Sequence, residues 1–226
     1  MTHVFEHEMN ELKEKLLTMA SQAESATSRA VQALVERDDD LARRVQEDDA
    51  VLDRFELEVD ETSIGLLAKA PLASDLRLIT VAMKISQNLE RVGDEATKIA
   101  RRSIDLSQEP QLKPYVDIPR MAAMALGMLK EALDAFVNRN PEKARAIIPR
   151  DKEVDSVNKQ LHRELASFMV ENPATITRSL HLMVISKSLE RIADHAKNIA
   201  EQVVYLYEAR DIRHTGKGAL TNLPTA

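Results

Sequence analysis

The chain of 226 residues contains the same helical segment twice, at positions 100 residues apart. The residues unchanged between the copies are Ile85, Ser86, Leu89, Glu90, Arg91, Asp94, Ala96, Ile99 and Ala100, which recur as Ile185, Ser186, Leu189, Glu190, Arg191, Asp194, Ala196, Ile199 and Ala200. Each copy of a repeat folds as one supersecondary unit. The chain is therefore predicted to build one unit twice, and this restricts the fold more than any other feature.

The composition favours helices packed around an aliphatic core. Apolar residues make up 44% of the chain, aromatic residues 3%, and only 5 glycines are present. Leucine, alanine, glutamate, lysine and arginine are abundant, and all have high helix propensity. A core with so few aromatic side chains is typical of helix bundles. The chain has no cysteine, which excludes disulfides and thiolate metal ligands.

Apolar spacing and breaker residues predict three helices in each unit. In the first unit the predicted helices cover residues 4–35, residues 41–69 and, with Ser74 as the N-cap, residues 74–99. In the second unit they cover residues 120–138, residues 142–171 with an interruption near Pro149, and residues 174–210. The repeat is thus predicted to be a three-helix bundle.

Three prolines separate the two units. Pro110, Pro114 and Pro119 fall within ten residues, and no helix interior tolerates them. The predicted fold is all-α, with two tandem three-helix bundles related by internal duplication, at residues 1–110 and 115–212. The polar residues 213–226 are predicted to be a disordered tail.

Four pairs of acidic residues, each pair four residues apart, occupy matched places in the two units. They are Asp49/Asp53 and Glu90/Asp94 in the first unit, and Asp151/Asp155 and Glu190/Asp194 in the second. Two acidic residues at this spacing have Cβ atoms about 6 Å apart on one helix face, and their carboxylates repel each other. Carboxylate oxygens are the ligands that hard cations prefer. The pairs therefore predict a metal site in each unit.

Hairpin geometry predicts that the two acidic pairs of each unit meet in space. Helices joined by a short turn pack antiparallel, so residues equidistant from the turn lie side by side. The pairs of the first unit are equidistant from a predicted turn at residues 71–72, and those of the second from a turn at residues 172–173. Glu90 and Asp94 flank the apolar stripe of their helix. We therefore expect an open site at the bundle rim that accepts a Mn, Fe, Mg or Zn ion.

An ordinary charged surface explains any single acidic pair more simply. Asp94 is spaced to pair with Lys98, and Asp194 with Lys197. The duplication of the complete set, mirrored about a turn in each unit, favours the metal interpretation. Arg91 and Arg191 adjoin the acids and are predicted to support them by charge-assisted hydrogen bonds.

Charge and hydropathy exclude some classes of protein. The formal net charge of −6 argues against nonspecific nucleic-acid binding, which needs a basic surface. Residues 1–10 lack the basic and apolar regions of a signal peptide, and no run of 18 apolar residues occurs. We expect a soluble cytoplasmic protein.

Sequence motifs of catalysis are missing around the acidic pairs. No Glu-x-x-His pair of a di-iron bundle and no glycine-rich phosphate loop occurs. Asp194 precedes His195, which reverses the order of an HD-type hydrolase motif. A noncatalytic regulator is therefore the favoured interpretation. The alternatives are a metal-dependent enzyme acting on phosphate esters or polyphosphate and a metal-free scaffold.

The same residues carry a family likeness. Residues 70–77 read Ala-Pro-Leu-Ala-Ser-Asp-Leu-Arg, and residues 89–94 read Leu-Glu-Arg-Val-Gly-Asp. The second copy, at residues 189–194, reads Leu-Glu-Arg-Ile-Ala-Asp. These stretches resemble the PhoU family, the phosphate-specific transport accessory proteins of bacteria, and the likeness spans nearly the whole chain apart from the tail.

The resemblance implies a fold, a cofactor and partners. It implies two three-helix bundles with multinuclear clusters of divalent or trivalent metal ions on the eight acidic positions, and a homodimer. It also implies a protein that links the ATPase subunit of the phosphate ABC transporter to a sensor histidine kinase, and that reaches membrane complexes only through these partners. Such a protein represses the phosphate-starvation response and restrains uptake. Because His195 stands where the first copy has Glu95, the two sites are expected to differ in metal or affinity.

Overall fold

The structure, a computed structural model, describes residues 2–70 and 72–212. The described residues form eight α-helices and no β-strand. The helices are α1 (Thr2–Glu36), α2 (Asp39–Glu47), α3 (Asp49–Leu67), α4 (Ala73–Ser107), α5 (Asp117–Val137), α6 (Pro141–Ile147), α7 (Asp151–Glu171) and α8 (Ile176–Glu208). Two 3₁₀ turns, Ile148–Arg150 and Pro173–Thr175, precede α7 and α8. The predicted tail, residues 213–226, lies outside the described residues.

The helices form two bundles of matching order. In the first, α1 and α4 are long single helices, while α2 and α3 together make the middle arm. In the second, α5 and α8 flank a middle arm made of α6 and α7. Helix α4 packs against α1 and α3, and α8 packs against α5 and α7. The predicted all-α fold of two tandem three-helix bundles is confirmed.

Helices α4 and α8 also pack directly against each other, so the two bundles share one core. Asn88 of α4 contacts His195 of α8, and Glu95 of α4 contacts Arg191 of α8. A later residue of α4 thus contacts an earlier residue of α8, which means that the two helices run antiparallel where they meet. The acidic pairs of both helices lie beside this crossing.

The repeated apolar stripe is the buried face of both helices. On α4 the side chains of Val81, Ile85, Leu89 and Val92 have no exposed surface. On α8 the matched residues Ile185, Leu189 and Ile192 are equally buried. Such a stripe at three- and four-residue spacing holds a helix against its neighbours by removing apolar surface from water. No helix in the described part of the chain is long and apolar enough to cross a lipid bilayer.

The turn after the first helix is repeated as well. Arg37 and Arg139, at matched positions, have φ of 57° and 52°, in the left-handed region that ends helices. The next residues, Asp38 and Asn140, cap α2 and α6. Each side chain accepts a hydrogen bond from the backbone N–H three residues on, at 2.8 and 2.9 Å.

Two details of the predicted helices are wrong. The helix expected over residues 41–69 is broken at Asp48, whose side chain forms an ion pair with Arg29 of α1 at 2.7 Å. The expected cap at Ser74 is also absent, because α4 begins at Ala73 and its N-cap, Leu72, offers no side-chain hydrogen bond. At Asp48 the break coincides with a tertiary ion pair, and at Leu72 the backbone before α4 is extended. Neither boundary follows from the helix signals in the local sequence.

Candidate functional site

Gly93 sets the distance between α3 and α4 at the acidic pairs of the first bundle. A methyl group on Gly93 would overlap Leu52 of α3 and would lie 3.6 Å from Asp49 Oδ1. The Gly93 position is buried, and only a residue without a side chain fits there beside leucine. Asp49 of α3 is therefore held next to the residue that precedes Asp94 of α4.

The acids Asp49, Asp53, Glu90 and Asp94, here called the first cluster, act on one another electrostatically. The pKa of Glu90 is raised to about 7, first by burial and then by Asp94, with Asp53 also contributing. The pKa of Asp49 is raised by burial, and by Asp53 and Asp94, against a hydrogen bond with Thr97. The structure thus brings the two pairs of α3 and α4 within mutual influence.

Arg91 lies along the first cluster on the outer side of α4. Its guanidinium is 2.9 Å from Asp94 Oδ2 and 3.3 Å from Glu90 Oε2. The pKa of Arg91 is raised, chiefly by the Glu90 charge and the hydrogen bond to Asp94. Half of this side chain is exposed, so the pairing is screened by water.

The acids Asp151, Asp155, Glu190 and Asp194, here called the second cluster, form the matched group between α7 and α8. The pKa of Asp194 is raised by burial first, and then by the charges of Asp151, Glu190 and Asp155. These four carboxylates therefore also share one region of space. They are less open to water than the rim site expected from the sequence, because Asp151 and Glu190 are only 6% and 7% exposed.

Two lysines pair with the second cluster. Lys187 forms an ion pair with Glu190 on the same helix. Lys197 Nζ lies 2.8 Å from Asp151 Oδ2 of α7 and 3.6 Å from Asp194 Oδ1 of α8. The spacing of Asp194 and Lys197 already suggested such a pair, but their separation in sequence from Asp151 concealed the bridge between helices.

Several buried carboxylate oxygens in the clusters have no hydrogen bond. They are Glu90 Oε2 and Glu190 Oε2, which nevertheless form ion pairs with Arg91 and Lys187, and Asp151 Oδ1, whose carboxylate contacts Lys197 through Oδ2. A buried anionic oxygen without a donor is costly unless a cation neutralises it. Hard carboxylate oxygens are also the correct donors for Mg, Mn, Fe or Zn ions. The residues present therefore fit a multivalent cation in their chemistry.

The positions of these side chains do not match the donor chemistry. Within residues 2–70 and 72–212, no three aspartate, glutamate or histidine side chains already converge closely enough to hold a metal ion. A cation at either cluster would therefore require these carboxylates to adopt other rotamers. The acids of each cluster are thus close enough to influence one another electrostatically, but their side chains are not arranged as ligands around one point.

Arg191 and His195 lie at the contact of α4 with α8. Arg191 Nη1 donates to Glu95 Oε1 at 3.2 Å, and His195 Nδ1 is 2.9 Å from Asn88 Oδ1. Burial lowers the pKa of His195, against the charge of Glu95. Arg191 was predicted to support the acids that adjoin it in sequence. It instead binds Glu95, a carboxylate of the other bundle.

Sequence reasoning did not single out Glu95 as a structural residue. Its side chain is only 4% exposed, and it is held by Lys98 at 2.9 Å and by Ser188 as well as Arg191. These hydrogen bonds keep the pKa of Glu95 below its usual value although burial alone would raise it. Nothing in the local sequence distinguishes this glutamate from its exposed neighbours.

Comparison with known proteins gives the same assignment as the repeated motif. The family model described as PhoU domain matches the chain twice, at residues 16–103 and 118–203. These matches place one domain on each bundle.

Full-length relatives agree with the two domain matches. A phosphate-specific transport system accessory protein PhoU homolog from Pseudomonas putida is 41% identical over 96% of this chain and 86% of its own length. The phosphate-specific transport system accessory protein PhoU of Escherichia coli K12 is 34% identical over 97% and 91%.

Solved structures show the same fold. The crystal structure of PhoU from Pseudomonas aeruginosa superposes with a TM-score of 0.88 at 40% identity, covering 91% of this chain and all of that one. The phosphate transport system regulatory protein PhoU from Streptococcus pneumoniae gives a TM-score of 0.87 at 29% identity, covering 92% and 99%. With the doubled domain and relatives matched along almost their whole length, this chain belongs to the PhoU family.

Proposed function

We propose that this protein is a noncatalytic accessory protein of a phosphate transport system. It links the ATPase subunit of a phosphate ABC transporter to a sensor histidine kinase, represses the phosphate-starvation response and restrains phosphate uptake. The observation that carries the proposal is the full-length likeness to relatives named as phosphate transport accessory proteins. Its place of action is the cytoplasmic side of the transporter.

We propose that the first and second clusters bind multivalent cations. Support comes from the carboxylates drawn from two helices in each bundle and from the buried Asp151 Oδ1, which has no hydrogen bond. A bound cation would supply positive charge that neutralises these acids. The chain's own contribution is to hold α3 against α4, and α7 against α8, so that acids from both helices face one site.

The proposal includes a homodimer, as the resemblance implies. Helix α8 exposes Ile176, Leu180 and Val184 at four-residue spacing. Apolar side chains at this spacing lie on one face of a helix and are suited to contact with another protein.

The regulatory proposal is tested in the source organism grown in high phosphate. Deleting the gene is expected to switch on a reporter of phosphate starvation and to raise phosphate uptake, and the wild-type gene is expected to reverse both. Affinity purification of the tagged protein should recover the transporter ATPase subunit and the kinase. Recovery of neither partner, with an unchanged reporter, would reject the proposed role.

The metal proposal is tested by elemental analysis of the purified protein. Wild type is compared with Glu90→Gln/Asp94→Asn and with Glu190→Gln/Asp194→Asn, which keep the side-chain shapes but remove charge. We expect stoichiometric metal in wild type and less in each variant. Metal-loaded protein should hydrolyse neither a phosphate ester nor polyphosphate. Turnover that disappears in Glu190→Ala/Asp194→Ala would instead favour an enzyme.

A further inference from the structure

The two clusters differ in the positive charge that the protein itself supplies. We propose that the Lys197 ammonium serves as a built-in cation of the second cluster, so that the first cluster is the tighter site for multivalent metal ions. This inference rests on the proposed metal binding. It assigns Lys197 the role of setting the affinity of one site relative to the other.

Lys197 joins the two helices that carry the second cluster. Its Nζ atom contacts Asp151 of α7 at 2.8 Å and Asp194 of α8 at 3.6 Å, and its side chain is 29% exposed. An ammonium between carboxylates from two helices does what a bound metal ion would do, because it offsets their repulsion and ties the helices together. Lys197 thus takes the place of a bound metal ion in the second cluster.

The first cluster has no such lysine at the matched position. Thr97 stands where the second copy has Lys197, and its side chain shares a hydrogen bond with Asp49. A hydroxyl group satisfies an oxygen but brings no charge. Arg91 forms its ion pairs with Glu90 and Asp94, both on its own helix. Asp49 and Asp53, on the α3 side of the first cluster, therefore have no ion pair among the described residues.

A second matched position increases the difference. Glu56 of α3 adds its charge to the surroundings of Glu90, whereas the matched residue of α7 is the neutral Asn158. Another matched pair acts in the opposite direction, since the charge of Arg101 acts on Asp49 in the first cluster. The matched residue Glu201 acts on Lys197 in the second cluster and offsets part of its charge. The clusters therefore differ less in net charge than in contacts, because among the described residues only the second cluster has a cationic side chain between carboxylates of two helices.

A cation can approach the second cluster beside Lys197. A surface groove of about 640 Å³ is lined by Asp151 and Lys197, and also by Lys152 and Arg145. A metal ion entering there must break the Lys197 ion pairs. The rim itself is of mixed charge, because Glu201 and Glu208 also line the groove and Glu208 pairs with Arg145. Lysine has a flexible stem, so displacement is sterically simple and its cost is electrostatic.

The test exchanges the matched residues. Chelator-treated wild type, Lys197→Thr and Thr97→Lys are titrated with Mn²⁺ by calorimetry in phosphate-free buffer. Wild type should show one tight class of site that is lost in Glu90→Gln/Asp94→Asn. In Lys197→Thr the second class should tighten at least tenfold, and in Thr97→Lys the tight class should weaken at least tenfold. Lys152→Thr removes the same charge from the same groove and should change neither class appreciably.

Thermal unfolding gives an independent readout. With EDTA, Lys197→Thr should melt below wild type, because Asp151 and Asp194 lose their counter-charge. Adding Mn²⁺ should raise its Tm by more than that of wild type. Equal tight binding at both clusters of wild type, unaltered by Lys197→Thr, would overturn this inference and leave metal binding intact. No binding of Mn²⁺, Fe²⁺ or Zn²⁺ by any variant would overturn the metal proposal as well.

Discussion

Gly93 of α4 and Leu52 of α3 share one packing position, in which the leucine side chain fills the space that a Cβ on residue 93 would need. In the second bundle the matched pair is Ala193 and Val154, both fully buried. The loss of one methylene from leucine to valine accompanies the gain of one methyl from glycine to alanine. The two bundles therefore solve the same close approach with different residues of similar total volume.

The first prediction exchanges this pair. Gly93→Ala overpacks the contact and Leu52→Val leaves a small void, so each single change should lower the free energy of unfolding by about 1 kcal/mol or less, the alanine's better helix propensity offsetting part of its cost. The double variant should be more stable than either single one, with a coupling of about 1 kcal/mol. Urea unfolding of the four proteins measures the cycle, and additive effects would contradict it.

The second prediction concerns pH. In the folded, metal-free protein the pKa of Glu90 is raised from 4.5 to about 7. Between these values the folded state binds more protons than the unfolded state, so the contribution of Glu90 to stability falls as pH rises and levels off above about pH 7. Glu90→Gln removes this dependence.

Unfolding in EDTA across pH 4 to 8 checks this expectation, on the scale set by general linkage of about 1.4 kcal/mol per pKa unit at most. The stability of Glu90→Gln relative to wild type should rise with pH through the window and then become constant. Glu171→Gln, at an exposed residue near the end of α7, serves as the control. Parallel curves for wild type and Glu90→Gln would show that Glu90 has no raised pKa.

The third prediction separates Arg37 from Arg139, which share a left-handed backbone. Arg37 Nη2 donates to the carbonyl oxygens of Ser107 and Glu109 at 2.5 and 2.7 Å, which ties the turn to the end of α4. No hydrogen bond of this kind is found for Arg139 among the described residues. Glycine relieves the same backbone strain at both positions.

We therefore expect Arg37→Gly to be less stable than Arg139→Gly by about 1 to 2 kcal/mol, the worth of two exposed hydrogen bonds from a charged donor. Chemical denaturation of the two variants beside wild type measures the difference. Equal stability of the two glycine variants would mean that the Arg37 side chain contributes nothing.

The fourth prediction concerns the contact between the bundles. Glu95 is buried and holds three partners, whereas the Arg191 side chain is half exposed. Glu95→Ala should cost about 2 kcal/mol, because it leaves Ser188 without its partner and opens space. Arg191→Ala should cost less than about 1 kcal/mol, as for other exposed ion pairs. Denaturant titration of both variants checks the order, and a larger loss for Arg191→Ala would refute this account of the interface.

The sequence was sufficient for the architecture because apolar period and internal repeat both report on helix faces. It was insufficient at Asp48, where the break between α2 and α3 occurs without glycine or proline and with a helical backbone of φ −74°. Local helix propensity therefore gives no signal of a break at Asp48. The repeat did carry one, because the matched position in the second copy adjoins Pro149, where an interruption was predicted.

At the candidate site, the sequence indicated which acidic residues are grouped but not which lysine and arginine side chains form ion pairs with them. The acidic pairs follow from helix spacing and from hairpin symmetry, which depend on position alone. The partners of Lys197 and Arg191 depend on side-chain reach across helices, and both cross between segments distant in sequence. Comparing Thr97 with Lys197 in the two copies was the available clue.

The antiparallel contact of α4 with α8 has a mechanical consequence. Each helix has more than 30 residues, which makes it about 50 Å long at 1.5 Å per residue. Two rods of this length, held together by Glu95 with Arg191 and by Asn88 with His195, cannot tilt separately. The two duplicated bundles are therefore mechanically coupled, so that a displacement at one end of the molecule is transmitted to the opposite end.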